Sequence, residues 1–114
     1  MTILYSFLSR DEDIFLTRAA TDIIKFYGIG HQTIKLEEEC AELIAAIARF
    51  NGDGDPCEEH AEQILEELAD VILVTEQIVG AMSAKTGRRL ANIVMAKADR
   101  QLQRISKEKE EKHA

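Results

Sequence analysis

The chain has no tryptophan and a single proline, Pro56, and only 5% of its 114 residues are aromatic. No proline-rich or Gly/Ser-rich linker divides it, and no internal repeat is visible, so one domain spanning 1–114 is expected. The two cysteines, Cys40 and Cys57, form no CxxC pair and fall in or beside expected helices. They read as reduced thiols, not as a disulfide framework. No apolar run approaches the ~18 residues of a membrane span. Leu43 to Ala48 ends at Arg49, and Val71 to Val74 gives way to Thr75 and Glu76. The N-terminus lacks the basic start of a signal peptide, so a cytoplasmic protein with no membrane partner is expected. Basic residues are also short: 14 Lys and Arg stand against 21 Asp and Glu, a net charge of -7. That excludes duplex nucleic acid as the main partner, since phosphate binding needs a basic face. A small phosphorylated ligand stays open, because a metal ion can make it welcome.

What is abundant is apolar and charged residues in helical alternation, with 46% hydrophobic and 31% charged. This is the composition of a globular chain and not a disordered one. The first ten residues fit no element. Asp11, Glu12 and Asp13 suit a helix N-terminus, where acids meet the positive end of the dipole. A first helix then runs to about Tyr27, with Leu16, Ala20, Ile23 and Tyr27 inward, until Gly28-Ile29-Gly30 stops it. The second runs from His31 or Gln32 to Phe50. Leu36, Cys40, Leu43, Ile47 and Phe50 recur at spacings of four, three, four and three, which makes one apolar stripe. Asn51 to Pro56 is a turn.

A third helix is expected from Cys57 to Ser83, its stripe being Ala61, Ile64, Leu68, Val71, Thr75, Ile78 and Met82. Between Val71 and Val79 it is apolar nearly all round, the mark of a helix buried on several sides, in a tight core or a subunit interface. Lys85-Thr86-Gly87 should break it. The fourth runs from Arg88 to Ser106, with Leu90, Ala91, Val94, Ala98, Leu102 and Ile105 inward, and Lys107 to Ala114 is a charged tail. The fold class is all-α and bundle-like, with helices two and three forming an antiparallel hairpin.

Two acidic pairs stand out. Glu39 and Glu42 precede the hairpin turn, Glu67 and Asp70 follow it, and each pair shares a helix face because residues three apart are neighbours. At ~1.5 Å rise per residue the pairs lie within roughly one turn of the same height. A lone helical glutamate is usually a solvated one. Two matched pairs beside apolar stripes repel one another, and such a site either raises its pKa values or binds a cation. Carboxylate oxygens suit a hard divalent ion, Mg²⁺ or Mn²⁺. A ferritin-like di-iron centre wants Glu-x-x-His on two helices, and here Glu42 and Asp70 stand at those positions. Cys57-x-x-His60 could bind zinc, but no second pair accompanies it.

Lys35 to Leu43, with Glu38, Glu39 and Glu42, followed by Glu66-Glu67-Leu68-Ala69-Asp70-Val71, resembles the E-E-x-x-E and E-x-x-D pattern of the MazG-like all-α nucleoside triphosphate pyrophosphohydrolases. The likeness covers about Tyr27 to Ile105. It implies cleavage of a nucleoside triphosphate between the α and β phosphates, giving the monophosphate and pyrophosphate, in a nucleotide house-cleaning role. It implies that Glu39, Glu42, Glu67 and Asp70 hold Mg²⁺, and that Glu38 is an accessory ligand or water-orienting base. Lys97, Arg100 and Arg104 resemble the basic stretch of the family's last helix and would meet phosphate oxygens; alternatively they only complement a helix C-terminus. Gln32 falls where the family often contacts the nucleotide, or is simply a polar residue at a helix start. Lys35 would face substrate or pair with Glu39. His31 reads as a loop histidine, and the match of Asn92 is too loose to carry a role. A homodimer or homotetramer is expected. The competing readings are a narrower enzyme acting on dUTP, dCTP or phosphoribosyl-ATP, and a helical interaction module without catalysis.

Overall fold

A computed structural model describes residues 2–52 and 58–113. It contains a short 3-10 turn, Tyr5–Phe7, and four α-helices: α1 (Arg10–Tyr27), α2 (Ile29–Gly52), α3 (Glu58–Gly80) and α4 (Ala84–His113). No strand occurs among the described residues, so the expectation of an all-α fold holds. The turn expected over Asn51 to Pro56 lies, from residue 53 onward, outside the described residues, as does Cys57.

The chain divides into two compact units, Met1–Ala81 and Met82–Ala114. The first holds α1, α2 and α3, with α2 and α3 the principal packing pair. Its leading residues, which the sequence left unplaced, are tied down by side-chain acceptors. The Thr2 amide donates to Asp13 Oδ1 at 3.0 Å, and the Ile3 amide donates to Glu76 Oε1. Ser9 then starts α1 with a capping box: the Glu12 amide donates to Ser9 Oγ, and the Ser9 amide donates to Glu12 Oε1. Two of the four orphan donors of the helix start are thereby satisfied.

α1 and α2 are almost continuous, separated by Gly28 alone. Its φ of 86° and ψ of 158° belong to a region open only to glycine, and its amide still donates to Ile24 O. A side chain here would meet no steric contact, yet the backbone strain would cost about 1–3 kcal/mol. Glycine at position 30, expected to help end the first helix, is instead inside α2.

Inside this unit the fully buried residues are few. Thr2 precedes α1, Ala20 and Ile24 come from α1, Gln32, Glu39 and Ala46 from α2, and Val74 and Gln77 from α3. The expected stripes are partly displaced. Tyr27 and Ile47 are exposed, as are Ala61 and Leu68 on α3, whereas Leu36, Cys40, Leu43 and Phe50 are half-buried. On α2 the innermost line is the heptad Gln32, Glu39, Ala46, rotated by one residue from the apolar stripe.

The second unit is α4. It starts earlier than expected, because Ser83 caps it: the Thr86 amide donates to Ser83 Oγ at 3.2 Å. Gly87 is therefore a residue of the first turns of α4 and not the break, which lies at residues 81–83. α4 also continues to His113, through most of the stretch expected as a tail. Of its expected inward positions only Leu90 is half-buried; Val94, Leu102 and Ile105 are exposed in the single chain.

Candidate metal and nucleotide site

The heptad line of α2 meets a matching line on α3. Gln32 Nε2 donates to Gln77 Oε1 at 2.7 Å. Seven residues on along α2 is Glu39, and seven back along α3 is Asp70; these two belong to one cluster. A further step brings Ala46 level with Gln63. Antiparallel helices in register give this pairing, since a heptad returns to nearly the same face. The seam of the hairpin thus carries buried polar side chains, Gln32, Glu39 and Gln77, beside the apolar Ala46 and Val74.

In that seam, Glu39, Glu42, Glu67 and Asp70 each offer a carboxylate oxygen, and the four oxygens lie within 4.8 Å of one another. The expected convergence of the two acidic pairs is what the structure contains. Oxygens on opposite sides of a Mg²⁺ ion stand about 4.2 Å apart, twice the ~2.1 Å bond. The set therefore needs only small side-chain adjustments to share one ion. Burial is graded: Glu39 is buried, Glu67 half-buried, and Glu42 and Asp70 exposed. The site is thus closed on the seam side and open on the solvent side.

The donors fit a hard cation for a second reason. Glu39 Oε2 and Glu67 Oε2 are buried and have no hydrogen-bond partner among the described residues. An orphaned buried carboxylate oxygen carries an unrepaid desolvation cost. Among the described residues the cation on the buried glutamate is Lys35, whose Nζ lies 3.0 Å from Glu39 Oε1 and 3.9 Å from Glu38 Oε2. The hydrogen bond to Glu39, with its charge, holds the Lys35 ammonium above its usual pKa. Among the two readings of Lys35, the structure therefore has it paired with Glu39. Glu38 itself is exposed and stands outside the cluster of four.

Crowding also acts on Glu42. The Glu39 charge, then a hydrogen bond with Glu67 and the Glu67 charge, raise its pKa above the usual carboxylate value. A carboxyl with a raised folded-state pKa contributes stability fully present below its unfolded pKa, and loses it as pH rises through the folded value. The metal-free protein should therefore lose stability as pH climbs from about 4.5 through the raised pKa. Thermal melts of wild type and Glu42→Gln across that window, in the presence of a chelator, test this. The two curves should diverge as pH rises, with Glu42→Gln the more stable at neutral pH.

Beyond Asp70 the seam opens into a cavity of about 440 Å³, lined by Ile23, Tyr27, His31, Gln32, Lys35, Glu39, Asp70, Leu73, Val74 and Gln77. Tyr27 and His31 stack at 4.8 Å with 17° between their planes, on either side of the Gly28 joint. His31 is thus not a loop residue but part of the first turn of α2. Gln77 is the residue the sequence reading missed. Its signal was faint: it follows Thr75 and Glu76 in the middle of the run from Val71 to Val79, where apolar residues lie on both sides of the three.

The other expected residues sit on α4. Lys97, Arg100 and Arg104 are exposed and lie three and four residues apart, so they share one face. Asn92 is exposed. The Cys57-x-x-His60 zinc reading involves Cys57, outside the described residues.

The family model described as the MazG nucleotide pyrophosphohydrolase domain matches residues 30–104, which include both acidic pairs and the three basic residues of α4. No curated protein and no solved structure matches the chain.

Proposed function

Because the chain belongs to the MazG nucleotide pyrophosphohydrolase family, we propose that it hydrolyses (d)NTP between the α and β phosphates, giving (d)NMP and pyrophosphate. The reading rests on one observation above all: four carboxylates converging from α2 and α3, with two buried oxygens that have no partner among the described residues. Glu39, Glu42, Glu67 and Asp70 would hold Mg²⁺, or Mn²⁺ in its place. The bound ion would supply charge stabilisation at the phosphoryl oxygens and lower the pKa of an attacking water.

The residues of the chain divide the remaining work. Glu39, fixed by the seam, sets the inner wall, while Glu42 and Asp70 leave the outer face open for phosphate. Lys35 can exchange its bond to Glu39 for a phosphate oxygen once the acid is otherwise neutralised. Glu38, one residue from Glu39 and exposed, is assigned the accessory role of orienting water. Lys97, Arg100 and Arg104 present a cationic stripe for the triphosphate. Exposed apolar side chains such as Ile34, Ile44 and Leu65 support self-association as a homodimer or homotetramer. The role follows as house-cleaning of the nucleotide pool in the cytoplasm.

The test is pyrophosphate release from the eight common NTPs and dNTPs, with Mg²⁺ and with a chelator. Turnover should require the metal and should vanish in Asp70→Asn protein that keeps its helical circular dichroism. Orthophosphate as first product, or undiminished turnover in the chelator, would overturn the reading.

A further inference from the structure

The cavity next to the acidic cluster contains a polar chain of three side chains, His31, Gln32 and Gln77. Gln32 Oε1 lies 2.7 Å from His31 Nδ1. An amide oxygen can only accept, so His31 Nδ1 carries the proton. That orients the Gln32 amide, whose Nε2 then donates to Gln77 Oε1 at 2.7 Å. The oxygens of both amides are engaged, Gln32 Oε1 by His31 and Gln77 Oε1 by Gln32. What the pair has left is donor capacity: the second N–H of Gln32 and the amino group of Gln77. Both glutamines are buried, at 4% and 2% exposure, among Ile23, Leu73 and Val74. Burying two carboxamides in apolar surroundings costs free energy that a structural core residue would avoid. The stacked rings of Tyr27 and His31 add a flat aromatic wall to the same cavity. Glu39 and Asp70 belong to both the cavity and the cluster, so a ligand in the cavity lies directly beside the acids.

We propose that this cavity is the nucleobase pocket, and that the Gln32–Gln77 amide pair, oriented by His31, selects a base edge with two adjacent hydrogen-bond acceptors. This deepens, and rests on, the nucleotide hydrolysis reading above. Cytosine offers such an edge at N3 and O2, and guanine offers one at O6 and N7. Uracil and thymine put an N–H beside each carbonyl, and adenine puts its amino group between N1 and N7. Aromatic stacking holds any base and is indifferent to its identity. The amides therefore carry the discrimination, because a buried donor left unpaired by the wrong base costs more than a lost contact.

The experiment measures kcat/KM for pyrophosphate release from the full set of triphosphates, in wild type and two variants. Wild type should favour cytosine or guanine nucleotides over adenine, uracil and thymine by about tenfold or more. In Gln77→Met, which keeps the volume and removes the donors, that ratio should fall towards one. In His31→Phe, an exposed position where folding is not at risk, the stack persists but the amides lose their orientation. The ratio should again contract. A wild-type preference for adenine, uracil or thymine would overturn the proposal. So would selectivity unchanged in His31→Phe and in folded Gln77→Met; should Gln77→Met not fold, the His31→Phe result decides alone. Failure of every triphosphate to release pyrophosphate, by contrast, would count against the hydrolase reading itself.

Discussion

Glu39→Gln should abolish both metal binding and turnover while leaving the fold in place. The substitution keeps volume and hydrogen-bonding capacity in the seam and removes one charge. Without metal, the cost is small, because the ion pair with Lys35 is lost while repulsion from Glu42 and Glu67 is relieved. With metal, the consequence is large. A ligand that binds only the folded state stabilises it by about 2.7 kcal/mol at a hundredfold excess over its Kd. For a chain of this size that is a rise in Tm of roughly 10 °C. Wild type should show a rise of that order on addition of Mg²⁺, and Glu39→Gln should show almost none. The kcat should drop by about 10³-fold or more, since charge stabilisation worth several kcal/mol is lost and each ~1.4 kcal/mol is tenfold. Differential scanning fluorimetry with and without Mg²⁺, beside a pyrophosphate-release assay, reads both effects. A variant that still gains stability from Mg²⁺ to the wild-type extent would show that the buried glutamate is not a ligand.

The same residue shows what could be read before any coordinates. Spacing alone brought Glu39, Glu42, Glu67 and Asp70 together, because i,i+3 pairs and a short antiparallel connection leave little freedom. Burial was less legible. Hydropathy placed the inner line of α2 at Leu36, Cys40 and Leu43, whereas the residues most removed from solvent are Gln32, Glu39 and Ala46. A periodicity argument ranks side chains by their affinity for water, and Glu39 and Gln32 are buried despite theirs. Such residues are expected where function, not stability, sets the choice. Gln77 escaped for the same reason. At Gly87 the reason is different: glycine signals a break only where no stronger local signal competes, and the Ser83 cap fixes the helix start three residues earlier. Lys97, Arg100 and Arg104 were legible as one face of α4, and their task belongs to the proposed function.

Ala46→Leu should damage the site from two turns away. Ala46 is 1% exposed and is the third member of the heptad line that carries Gln32 and Glu39. It falls in register with Gln63 of α3, and its burial leaves no open space at its methyl for a larger side chain. A leucine must push α2 away from α3 or take a strained rotamer. Overpacking of this kind costs about 1–3 kcal/mol, which lowers Tm by roughly 4–11 °C. The functional loss follows from geometry. Widening the seam separates Glu39 and Glu42 from Glu67 and Asp70, and ligand oxygens now within 4.8 Å of one another cannot move far apart and still share one ion. The Mg²⁺-induced rise in Tm should therefore shrink along with the Tm itself. Ala48→Leu, an exposed position on the same helix, should shift stability by no more than about 0.5 kcal/mol and leave the metal response intact. If Ala46→Leu melts like wild type and responds fully to Mg²⁺, the hairpin seam is not what holds the four carboxylates together.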